Sequence, residues 1–101
     1  MRPDVDEDVF TDAVIELAMI QGWRVAHFRP AKTAKGYRTP MQGHVGWPDL
    51  ALAKGGRFIA AELKSARGKP SNEQLDWLAA LGDHGRLWRP SDIREIEETL
   101  R

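Results

Sequence analysis

Glu62 and Lys64 stand two residues apart in the apolar run Phe58-Ile59-Ala60-Ala61-Glu62-Leu63-Lys64. A strand repeats every two residues, so these two side chains share one face while Ile59 and Leu63 take the other. A carboxylate beside an ammonium group on an apolar strand is either a structural ion pair or a piece of chemistry. Just upstream, Gly46-Trp47-Pro48-Asp49-Leu50 sets a single acid at the start of a second short strand. Lys54-Gly55-Gly56-Arg57 between the two runs is a hairpin signal. If the hairpin forms, Asp49 and Glu62 approach each other. Two carboxylates side by side repel unless a cation separates them, and hard oxygen ligands suit Mg²⁺ or Mn²⁺.

The elements that must position these residues follow from periodicity. Residues 6–21 read as a helix with Phe10, Val14, Leu17 and Ala18 on one stripe, ended by Gly22. Trp23 to Phe28 reads as a strand, and residues 29–47 as a long polar loop. Loops of that length in small domains tend to be functional or disordered. Residues 49–53 and 58–63 form the hairpin strands, followed by a basic loop over 65–70. Ser71 and Gln74 make a capping-box pattern for a helix to about Leu81, with Leu75, Leu78 and Ala79 on its core face and Gly82 as its stop. Residues 86–88 read as a short strand, and Pro90-Ser91 opens a last helix through Leu100. The predicted order is αβββαβα, a single α/β domain over residues 1–101.

At 42% hydrophobic and 30% charged, the 101-residue chain falls in the globular range. The absence of cysteine excludes a disulfide framework, a thiolate zinc site and a cysteine nucleophile. The three histidines, His27, His44 and His84, have no metal-ligand spacing; His44 is notable for its closeness to Asp49. The acidic first twenty residues are the reverse of a signal peptide's basic start, and no apolar stretch is long enough to span a bilayer. An intracellular, cytoplasmic protein is expected. The net charge of zero hides an asymmetry: −5 over residues 1–23, +8 over 24–69 and −3 over 70–101. The middle is suited to a polyanion, although a solvated basic loop paired with the acidic ends has the same composition.

Pro48-Asp49 followed by Glu62-Leu63-Lys64 matches the PD-(D/E)XK nuclease signature. More narrowly, Gly46-Trp47-Pro48-Asp49-Leu50, Ala61-Glu62-Leu63-Lys64 and Gln74-Leu75-Asp76-Trp77-Leu78 resemble the VRR-NUC family, which occurs in phage proteins and at the nuclease ends of larger repair enzymes. The resemblance runs from Glu7 to about Pro90 and implies a restriction-endonuclease-like core, a central mixed sheet flanked by helices.

The resemblance also implies roles. Asp49 and Glu62 would bind the metal directly, with the Leu63 carbonyl as a further ligand and Glu7 as the acid of the first helix. Glu7 falls on the stripe of Phe10 and Val14, where an acid needs a reason; favouring the helix N-terminus is an alternative, and Asp6 or Asp8 would serve in a shifted register. Lys64 would position or deprotonate the attacking water. Gln74 would orient Lys64 or the water, unless it is only the capping-box partner of Ser71. Arg29, Lys32, Lys35, Arg38, Arg67 and Lys69 would hold flanking DNA phosphates. The resemblance implies Mg²⁺- or Mn²⁺-dependent phosphodiester hydrolysis on duplex or branched, Holliday-junction-like DNA, by a homodimer of the phage-encoded type. Trp77 is expected either on an association surface or under the last helix. A non-catalytic DNA-binding module and a metal-dependent hydrolase of a small phosphate ester are the alternatives.

Overall fold

The computed structural model describes residues 1–29, 31–33, 36–38 and 41–101. The elements run α1 (Glu7–Ile20), β1 (Arg24–His27), β2 (Ala31–Thr33), β3 (Gly36–Arg38), β4 (Leu50–Lys54), β5 (Arg57–Leu63), α2 (Asn72–Leu81), β6 (Gly85–Trp88) and α3 (Ile93–Thr99), with short 3₁₀ turns before β6 and α3. The main sheet is mixed, in the order β1-β4-β5-β6. Its first three strands are antiparallel neighbours, and β6 runs parallel to β5. The order departs from αβββαβα because the segment expected as loop contributes a separate two-stranded hairpin, β2–β3. That hairpin is polar and lacks apolar alternation, so no periodic signal announced it. Among the described residues, no helix is long and apolar enough to cross a membrane.

The β4–β5 turn sets the register of the whole centre. Gly55 and Gly56 both have positive φ, at 53° and 81°, the backbone that a two-residue hairpin of primed type requires. Lys54 therefore pairs with Arg57, Leu52 with Ile59 and Leu50 with Ala61. One sheet face thus gathers Leu50, Leu52, Ile59, Ala61 and Leu63, on which Phe10, Val14 and Ala18 of α1 pack. Trp23, Trp88, Ile96 and Leu100 complete this core. The chain end is tied down by polar contacts as well: Trp23 Nε1 donates to the Leu100 carbonyl at 2.9 Å, and the Arg57 guanidinium lies over the Trp23 ring at 4.7 Å.

The opposite sheet face is supported differently. None of the residues of α2 is buried, which corrects the expected core face of Leu75, Leu78 and Ala79: Leu75 is 45% exposed and Ala79 is exposed. The helix holds its place through its edges. Trp77 packs edge-to-face on Trp47, with ring centroids 5.0 Å apart, and its Nε1 donates to the His44 carbonyl at 3.1 Å. Trp47 in turn meets Phe28 edge-to-face at 6.3 Å. Trp77 is therefore half-buried against the 44–47 segment of its own chain rather than under α3. Gly46 lets the two segments touch. Its φ is +99°, and a Cβ there would stand 2.7 Å from the Glu73 backbone, so any side chain would push α2 off the strand-bearing segment.

Candidate active site

Because Leu50 pairs with Ala61, residue 49 falls opposite residue 62, one step past the end of the ladder. The two acids therefore face each other across neighbouring strands, on the sheet face turned away from the main core. Asp49 is locked at both ends: its carbonyl accepts from the Phe28 amide at 2.8 Å, and its Oδ2 accepts from the Leu63 amide at 2.9 Å. Leu63, expected to lend its carbonyl, is thus joined to the site through its N–H.

Glu62 is 1% exposed. Its Oε2 accepts from Lys64 Nζ at 3.0 Å and from Gln74 Nε2 at 3.0 Å. Its Oε1 is buried and has no hydrogen-bond partner. Burial first, and the neighbouring Asp49 carboxylate second, push the Glu62 pKa from 4.5 up to about 7, against the pull of Lys64. A carboxylate oxygen left buried and unpaired is costly. Lys64 is itself 17% exposed, so the pair is screened little by solvent.

The expectation that Glu62 and Lys64 share a face therefore agrees with the structure, as does the closeness of Asp49. For Gln74 both alternatives hold together. Its Oε1 accepts from the Ser71 amide at 2.8 Å and its amide donates to Ser71 Oγ at 3.2 Å, closing the capping box. Its Nε2 is then left to aim at Glu62. One side chain both starts α2 and reads the buried carboxylate, and the two partners fix which end is oxygen.

Glu7 is not brought into this pair. It is exposed, at the first position of α1 beyond the edge of the core, and its Oε1 accepts from the Ser65 amide at 3.3 Å. Asp6 is the helix N-cap, its Oδ1 accepting from the Asp8 amide at 2.8 Å. Among the described residues, no three acid or histidine side chains are grouped closely enough to hold one ion. The set that fits a divalent cation is smaller: Asp49 and the buried Oε1 of Glu62, two hard oxygens whose mutual repulsion a cation would relieve.

No family model, curated protein or solved structure matches this chain.

Of the expected phosphate contacts, Arg29, Arg67 and Lys69 are exposed. Lys32 and Arg38 lie on β2 and β3, and Lys35 lies outside the described residues. His44 is exposed, and His84 Nδ1 is 3.1 Å from the Phe58 carbonyl. Sequence reasoning missed Arg89. Its guanidinium donates to the carbonyls of Ser65 at 2.6 Å and Gly68 at 2.7 Å, contacts that span more than twenty residues and leave no local pattern to read.

Proposed function

We propose that the chain is a metal-dependent DNA endonuclease of the VRR-NUC kind, within the PD-(D/E)XK superfamily. The observation that carries this reading is the unpartnered, buried Oε1 of Glu62 opposite Asp49. An oxygen in that state favours a cation as its partner, and Asp49 and Glu62 would hold Mg²⁺ or Mn²⁺ between them. Such an ion, when bound, lowers the pKa of water and offsets the negative charge of a phosphodiester. Lys64, fixed by Glu62, keeps a positive charge beside the site, where charge developing on phosphate oxygens is stabilised most. Gln74 prevents Glu62 from turning away. The +8 middle segment supplies affinity for the DNA backbone without sequence preference.

The proposed substrate is duplex or branched DNA of Holliday-junction type, cut by a homodimer that presents two sites. Incubation of the protein with plasmid, four-way junction and single-stranded DNA, in Mg²⁺, Mn²⁺ or EDTA, tests the reading. Cleavage of the junction or plasmid with either metal, abolished by EDTA, is expected. Binding without cleavage under every metal condition would instead favour a non-catalytic DNA-binding module. Light scattering on the active protein is expected to give about twice the 11.4 kDa chain mass, and full activity at the single-chain mass would defeat the dimer.

A further inference from the structure

Immediately after Lys64 the chain makes a tight turn, and Arg89 braces it from inside. The Gly68 amide donates to the Ser65 carbonyl at 3.3 Å and to Ser65 Oγ at 3.1 Å. Arg89 Nη1 collects the carbonyls of Ser65 and Gly68, with Ala66 at 3.4 Å. Arg89 is itself anchored, its amide donating to Asp92 Oδ2 at 2.8 Å. The amides of Ala66, Arg67 and Lys69 have no hydrogen-bond partner among the described residues. The side chains of Arg67 and Lys69 are exposed on the same turn. Glu7 is the neighbouring acid, and it is occupied by the Ser65 amide on the α1 side.

We propose that residues 65–69 form a phosphate-binding turn, braced by Arg89, that takes a DNA backbone phosphodiester beside the one being cut. Unpaired amides on a tight turn suit an anion, and two cations on the same turn add charge-assisted hydrogen bonds. Arg89 acts as a positioning residue: its guanidinium occupies the carbonyls of Ser65 and Gly68 and so fixes the backbone of the turn. The choice of DNA as the source of the phosphate rests on the proposed nuclease function, whereas the turn's affinity for phosphate does not.

The test is made in EDTA, so that no cleavage is needed. Inorganic phosphate is titrated into ¹⁵N-labelled protein, and a 20-base-pair duplex is bound over a range of salt concentrations. Saturable shifts centred on the Ala66, Arg67 and Lys69 amides are expected with both probes. Arg89→Gln should remove those shifts and weaken duplex binding about tenfold, with the log–log salt slope falling by about 0.9 for one lost phosphate contact. Arg94→Gln, the same charge change at an exposed position on α3, should do neither. Should Arg89→Gln fail to fold, the exposed pair Arg67→Gln/Lys69→Gln carries the same expectation. The proposal is overturned if phosphate leaves those amides unmoved, or if Arg94→Gln weakens duplex binding as much as the turn variants. Shifts with phosphate but none with the duplex would overturn DNA as the source. Absence of cleavage in the separate Mg²⁺ and Mn²⁺ assays, with an intact phosphate response in EDTA, would count against the nuclease reading alone.

Discussion

Asp49→Asn and Glu62→Gln are each expected to lose metal-dependent DNA cleavage by about a thousandfold or more, while DNA binding persists or tightens. Removing a single preorganised electrostatic contact from a reacting centre costs about 10²–10³ in rate, and here each substitution removes half of a two-carboxylate set. Asn and Gln keep the shape and an acceptor oxygen, so the Leu63 amide and Lys64 retain partners at the distances now seen, 2.9 Å and 3.0 Å. The fold should therefore survive, and circular dichroism checks it. Binding should not suffer, because each change also deletes a negative charge that repels phosphate. Wild-type turnover by either variant would remove the pair from the mechanism.

The second large effect concerns stability without metal. Glu62 titrates near 7 in the folded chain against 4.5 in the reference state, chiefly through burial and then through Asp49. The folded state thus holds this proton more tightly than the unfolded state does. The associated stability is fully present below about pH 4.5 and is lost as the pH rises through about 7. At 1 pKa unit per about 1.4 kcal/mol, the loss is roughly 3 kcal/mol. Urea unfolding in EDTA at pH 4.5 and pH 8 should show it in the wild type, and the Glu62→Gln variant should lack this component. Added Mn²⁺ should restore stability at pH 8 far more than at pH 4.5, since it binds the ionised pair in the folded state. Parallel pH profiles for wild type and Glu62→Gln would show that Glu62 is not a strained acid.

The centre of the site was legible in the chain because its geometry follows from short-range rules. A period of two put Glu62 with Lys64, and Gly55-Gly56 fixed a hairpin register that brings residue 49 opposite residue 62. The capping box located the first turn of α2, and with it Gln74. What could not be read depends on contacts between distant segments. Trp77 looked like surplus apolar surface on its own helix, because its partner Trp47 lies thirty residues earlier. The apolar residues of α2 suggested a buried face, yet the helix meets the sheet beside a polar site and stays half exposed. Glu7 matched the apolar stripe by spacing, but at the first helical position it reaches past the core to the Ser65 amide.

Direct measurement of Mn²⁺ bound to the metal-free protein, by electron paramagnetic resonance at pH 8, addresses the Asp49–Glu62 pair without relying on any choice of DNA. Saturable binding by the wild type that is lost or weakened at least tenfold in both Asp49→Asn and Glu62→Gln is the predicted result. Equal Mn²⁺ binding by the wild type and both variants, or none by the wild type, would contradict the assignment of these two carboxylates as a metal site.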